Sequence, residues 1–240
     1  MTETITRQDM LDKVRKLLAK AESVAGTPEA DVLNAKAFEL IAKYGIDETA
    51  ARQRAGEGPA SIEVADFVIS GQYQREQTYL LHLLAKALHC SPLWDAANSA
   101  YGTRRNLVYG TAGHIERLRI VYAMLMPQML AGAARVRPPA DAQVGVKAYR
   151  MSWMRGFYGT VESRLRKAES RASEASEPGT ALVLVDDYKR AEAAMESSSD
   201  DIRSTRSRSR HSAAAAALGA AAGERVNLGQ TGVAGRLAIG

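Results

Sequence analysis

The apolar positions near the start of the chain fall at helical spacing. Leu11, Val14, Leu17, Leu18 and Ala21 recur every three or four residues, with Lys13, Arg15, Lys16 and Lys20 between them. This pattern predicts an amphipathic helix from about Met10 to Glu22, with Asp9 placed to cap it. The segment Ser23 to Pro28 interrupts the pattern, and Thr27-Pro28 has the chemistry of a helix start. Leu33, Ala37, Leu40 and Ile41 then continue at helical spacing, which predicts a second helix from about Pro28 to Lys43. Gly45 reads as its left-handed stop, and Asp47 as the cap of a separate short turn reaching about Arg54. Residues 1–54 therefore read as an antiparallel helical hairpin, too small to hold a core alone, so it must dock or pair.

A Gly- and Pro-containing linker at 55–61 separates the hairpin from residues 62–240. Ile62, Val64, Phe67, Val68 and Ile69 predict a strand at about 62–69. A helix follows from about Gln74 to Leu88, then two short strands around Pro92–Trp94 and Arg105–Tyr109. Thr111 is placed to cap a helix from about Ala112 to Ala134, with Pro127 as its kink or division point. Tyr149, Trp153, Phe157, Val161 and Leu165 are spaced by four within a long helix, about Ala142 to Ala175, and form a core stripe. Gly156 and Gly159 inside it point to a close approach by another backbone. The run Ala181 to Val185 reads as a buried strand, with Asp186 capping a short helix to about Met195. Residues 197–212 are rich in Ser, Asp and Arg and read as mobile. An Ala-rich helix from about His211 to Gly223 carries Gly219 and Gly223 as a small-residue packing face. The fold class expected is α+β, predominantly helical: an N-terminal α-hairpin followed by a mixed domain with a small sheet and long helices.

Composition changes this picture only in its charge. The 240 residues are 46% hydrophobic and 25% charged, which is ordinary for a globular chain. One cysteine, Cys90, excludes an intrachain disulfide. The polar N-terminus does not resemble a signal peptide, and no stretch is long and apolar enough for a membrane span, so a cytoplasmic protein is expected. The formal net charge is +5, but residues 101–172 hold 13 basic and 4 acidic residues, net +9, whereas residues 173–200 are net −5. A basic block of that size attracts phosphates.

Lys13-Val14-Arg15-Lys16-Leu17-Leu18-Ala19-Lys20-Ala21-Glu22-Ser23, followed by Ala35-Lys36-Ala37-Phe38-Glu39-Leu40-Ile41-Ala42-Lys43-Tyr44-Gly45-Ile46-Asp47, resembles a known pattern. It is similar to the bacterial and phage family called domain of unknown function 2786. Phe38 stands where that family more often has Gln. Asn106 to Leu130 and Trp153 to Leu165 resemble the region commonly attached to such a hairpin. The resemblance implies an architecture and a bacterial or phage setting, and transfers no catalytic residue.

Candidate chemistry is sparse. His82 and His89 lie two helical turns apart, about 10 Å along the axis, too far for one metal ion. There is no H-E-x-x-H, Walker A or G-x-S-x-G motif. No catalytic residue, metal or cofactor is therefore expected. The turn Gly110 to Gly113 leads into a helix N-terminus, a place where anions bind, with Arg104, Arg105, Arg117 and Arg119 near it in sequence. Arg203, Arg206, Arg208 and Arg210, interleaved with Ser and Thr, suit phosphate contacts. Tyr149, Trp153 and Tyr158, set among Lys147, Arg150 and Arg155, would stack on unpaired bases if exposed. The leading expectation is a nucleic-acid-binding accessory protein using those eight arginines. A protein-interaction or assembly module, with a protein partner or a second copy, is the alternative, and an enzyme of unknown type the second.

Overall fold

The computed structural model describes residues 12–14, 16, 17, 20, 24, 27–198 and 212–226. The Arg203–Arg210 run, His211 and the Gly-rich stretch from Gly229 lie outside the described residues. Within the first expected helix, residues 12–14, 16, 17 and 20 are helical, and Val14 is buried. Lys20 pairs with Glu29 at 3.3 Å.

The described elements are α1 (Pro28–Arg54), β1 (Glu63–Ser70), α2 (Gln74–Ala87), β2 (Ser91–Asp95), β3 (Thr103–Gly110), α3 (Ala112–Arg135), α4 (Val146–Glu174), α5 (Thr180–Ser197) and α6 (Ala213–Glu224). The protein is α+β and predominantly helical. Its small antiparallel sheet has the order β1-β3-β2. The strands alternate as a half-buried sheet should: Ala65 and Ile69 are buried, whereas Val64 and Val68 are exposed. The inward residues join Leu80, Leu81 and Leu84 of α2 and Ile115 and Leu118 of α3 in one buried cluster. Tyr109 is on the outer face, opposite Val64, yet is buried. α5 packs on β2 and β3 and covers that part of the sheet. Among the described residues, no helix is long and apolar enough to cross a membrane.

Helix α4 is the spine of the molecule. Tyr149, Trp153, Phe157, Val161 and Leu165 are all buried along one face. Full burial of side chains this size stabilises by about 1.5–3 kcal/mol each. Trp153 and Phe157 stack with centroids 5.5 Å apart. These rings and Tyr158 lie in the core, as the stripe predicts, so the condition for their stacking on bases is not met.

Beside this stripe, α6 lies against α4 backbone to backbone. A Cβ on Gly219 would collide with the Trp153 carbonyl, and one on Gly156 with the Ala216 carbonyl. The small-residue face of the C-terminal helix therefore packs within the chain. Gly159 meets nothing within 4 Å, so only one of the two expected close approaches along α4 exists.

Two element assignments need correction. Helix α1 runs unbroken through Gly45, and the separate turn from Asp47 is its continuation. Gly45 is there for space: the Arg117 guanidinium fills the position a Cβ would take. The run Ala181 to Val185 is helix, not strand, and Asp186 lies inside α5, paired to Arg190 at 3.3 Å. Thr180, Leu184, Asp187 and Ala191 are the buried positions, at helical spacing, while Leu182 is 74% exposed. A short apolar run fits either period, and here tertiary packing chose the longer one. Pro127 lies inside α3 without interrupting it.

The glycine contacts give a paired expectation. Gly219→Ala forces α4 and α6 apart and costs about 1–3 kcal/mol. Gly159→Ala meets open space and stabilises by about 0.5–1 kcal/mol through helix propensity. Thermal melts of both variants check this, and equal shifts would remove the close approach as the reason for Gly219.

Candidate functional site

About half of the basic block at 101–172 is tied to other groups of the chain, some of it buried and some at the surface. Arg117 is 1% exposed and pairs with Glu169. Arg105 joins Asp66 at 2.7 Å and Asp95 at 3.2 Å. Arg150 donates to the carbonyls of Ala134 and Val136 at 2.7 and 3.4 Å, where α3 ends and a cation is favoured. Arg164 donates to the Gly223 carbonyl at 2.6 Å and covers the Phe38 ring. Arg166 pairs with Glu162 and Arg171 with Glu39.

The four described arginines picked from the sequence are thus not brought together. Arg117 is corrected outright, since a buried, paired guanidinium faces no outside phosphate. Arg105 is held between two carboxylates. Arg119 is exposed, 4.7 Å over the Phe67 ring, and shares a shallow depression with Glu63 and Glu116. Arg203, Arg206, Arg208 and Arg210 lie outside the described residues. The start of α3 is not an open anion site either. The Thr111 side chain accepts from the His114 N–H at 3.4 Å, and the Glu48 carboxylate lies against Gly113. The chain sets its own carboxylate at that helix N-terminus.

Arg104 alone of the four joins a larger basic surface. On β3 it lies diagonal to Trp94 of β2, because Trp94 pairs with Asn106. Its guanidinium carbon is 4.1 Å from the Trp94 ring centroid, a cation–π stack. Arg75, at the start of α2, donates to the Tyr79 hydroxyl at 3.3 Å and is close enough to Arg104 to help burial lower its pKa. Lys147 and Arg155 of α4 act on the same place. All three of Arg75, Arg155 and Lys147 act on the Glu76 carboxyl, whose pKa burial nonetheless raises. Glu76 is 5% exposed, so the surface presents the cations rather than the carboxylate. His82 caps the inner end, its Nε2 3.0 Å from Asn106 Oδ1, and burial brings its pKa down to about 4.

The turn between β2 and β3 borders this surface. Its backbone closes from Thr103 N–H to the Ala100 carbonyl at 3.0 Å, and Gln74 donates to the Gly102 carbonyl, tying it to the start of α2. Tyr101, at the tip, is fully exposed. Sequence reasoning missed Arg75, Trp94 and Tyr101. Arg75 is a lone cation whose only charged neighbour between Asp66 and Lys86 is Glu76, and only the alternation around Trp94 and Arg104 hints that their side chains share a face.

A second polar cluster is sealed inside. Arg117 reaches from α3 across Gly45 of α1 to Glu169 of α4. Glu169 also lies 3.4 Å from His89 Nε2, just after α2, and the His89 and His114 rings are 5.4 Å apart. His114 is buried, and among the described residues neither ring nitrogen has a hydrogen-bond partner. Burial first, then the charge of Arg117, then His89 and Arg52, push its pKa well below the ordinary 6.5. Cys90 next to them has its thiol pushed up to about 12 by burial, so it is a packed thiol, not a nucleophile. Among the described residues no three His, Cys, Asp or Glu side chains are placed to hold a metal ion. Below it, Asp187 of α5 accepts from Arg52 at 3.2 Å and Arg190 at 2.8 Å, and Arg190 also donates to the Ala60 carbonyl. These buried pairs position helices.

Comparison with known proteins adds one identification. Residues 9–48 match the model of the family described as "Protein of unknown function (DUF2786)". The matched segment ends at Glu48 and includes Gly45, so it supplies both the seat of Arg117 and the carboxylate at the start of α3. No curated protein and no solved structure matches the chain.

Two expectations arise from the sealed cluster. Glu169→Gln leaves the Arg117 charge buried without a counter-charge and costs about 3–5 kcal/mol in urea unfolding. The double change Arg117→Met with Glu169→Leu recovers most of that loss; a mild effect of the single change would show that the pair does not hold the helices. The histidines set a pH dependence. His114 and His82 are neutral in the fold, so below pH 6.5 the unfolded chain binds more protons than the folded one. Their contribution is complete above that pH and is lost as pH falls through it, for His82 towards about 4. The melting temperature should drop between about pH 7 and 5, and His114→Gln should flatten the drop. An unchanged slope in that variant would place its source elsewhere.

Proposed function

We propose that this protein binds nucleic acid electrostatically, through the surface made by Arg75, Arg104, Lys147 and Arg155. The observation that carries this reading is their convergence around a single buried carboxyl group, Glu76. Four cations gathered around one buried carboxyl give a local surplus of positive charge. Such a surplus attracts a phosphate backbone and releases its counterions. Arg104 on Trp94 and Arg75 on Tyr79 hold their guanidinium planes in place, which lowers the ordering cost of binding. In this reading the run Arg203, Arg206, Arg208 and Arg210 adds sequence-independent phosphate contacts, and Arg105 and Arg117 add none. The setting proposed is the cytoplasm of a bacterial host cell, in keeping with the resemblance of the N-terminal segment to a bacterial and phage family.

Fluorescence anisotropy with labelled oligonucleotides at about 50 and 200 mM salt tests it. Binding should weaken steeply with salt. Replacing Arg75 and Lys147 by Ala should flatten the plot of log K against log salt by about 0.7–0.9 for each phosphate no longer neutralised. Arg105→Ala should leave the slope unchanged. A slope that responds to Arg105 and not to Arg75 and Lys147 would refute this surface.

A further inference from the structure

The basic surface carries a feature that phosphate attraction does not require. Tyr101 projects fully into solvent from the β2–β3 turn, and that turn is built to hold it. The Asn98 N–H donates to Asp95 Oδ1 at 3.0 Å. The Ser99 hydroxyl donates to the Asp95 carbonyl at 2.6 Å and accepts from the Trp94 indole at 3.3 Å and the Arg105 N–H at 3.0 Å. Gln74 fixes the far side through the Gly102 carbonyl, and Gly102 supplies the positive φ of 78° that closes the turn. A large ring is thus presented to water on a hydrogen-bonded support, beside Arg104 and Arg75.

We infer that the ligand of this surface is single-stranded nucleic acid, with Tyr101 as a stacking platform for an unpaired base. This inference rests on the nucleic-acid reading above and names its ligand class. Only an unpaired base offers a ring face to an aromatic side chain; in a duplex those faces are covered by neighbouring pairs. A duplex reader also needs a helix or ribbon projecting into a groove. Helix α2, which lies beneath the cations, buries Glu76, Gln77, Thr78, Leu80 and Leu81 and projects nowhere. Flanking cations with one exposed aromatic ring on a hydrogen-bonded turn match the combination that binds single strands without sequence preference. Tyr101 supplies the stacking contact, and Arg104 and Arg75 the neighbouring phosphate contacts.

The test uses the whole protein and three labelled probes: an oligo-thymidine of about 15 nucleotides, a blunt duplex of the same length, and inorganic polyphosphate, which has no bases. The expected result is tighter binding to the single strand than to the duplex. Tyr101→Ala should weaken the single-strand complex about 5- to 100-fold without changing its salt slope, and Tyr101→Phe should keep the affinity. Polyphosphate binding should be the same for all three proteins. Tyr101 is fully exposed, so neither variant is expected to disturb folding, which a melt of each confirms. Salt-dependent binding that is indifferent to Tyr101→Ala, or a duplex held as tightly as the single strand, overturns the single-strand inference and leaves the phosphate-binding surface standing. Salt-dependent binding to none of the probes overturns the nucleic-acid reading and this inference with it.

Discussion

A charge in a protein interior must be answered by another, and in this molecule that demand is met by Arg117 and Glu169. The guanidinium leaves α3, crosses α1 where Gly45 leaves room, and ends on a carboxylate of α4 that also faces His89 after α2. Four helices are thereby fixed at one point by a contact that tolerates little displacement. Apolar side chains can slide over one another at small cost, whereas a separated buried ion pair cannot. The neutral state of His114 follows first from its burial and then from the same arrangement, since a second positive charge beside Arg117 would have no answer.

Around that point the remaining helices are set by shape. α4 offers a stripe of aromatic rings and, beside it, bare backbone at Gly156, and so gathers α1, α2 and α3 as well as α6. Cations that the sequence crowds into 101–172 are used mainly to finish these contacts: Arg150 at the end of α3, Arg164 between α1, α4 and α6, and Arg105 across the sheet. The basic surface that remains is smaller than the sequence total implies: Arg104, Lys147 and Arg155 come from that block, and Arg75 joins them from α2.

Most of the fold is legible in the sequence because periodicity reports burial directly. The stripe from Tyr149 to Leu165, the alternation in β1 and the glycine face of α6 all do so. The errors share a cause. Local preference misreads Gly45 and Ala181–Val185 because each answers to a distant partner: a guanidinium 72 positions away for the first, and the sheet face that α5 covers for the second. The candidate site is much less legible. Arg117 looks like its neighbours, since nothing local in a sequence says how deep a charge will lie. Arg75 and Tyr101 become neighbours of Arg104 only through the strand pairing and the turn tied to α2.

The row of Asp66, Arg105 and Asp95 places one charged side chain on each of the three strands, Arg105 directly opposite Asp95 and diagonal to Asp66. Half-open to water, such pairs contribute little to overall stability. Their consequence is in alignment. A slip of one residue along either neighbour would turn its carboxylate to the opposite face and leave the cation looking at nothing. With the exposed Val64 and Val68 offering β1 no apolar reason to prefer one alignment on that face, the three charges act as a tally mark by which the strands count themselves into step.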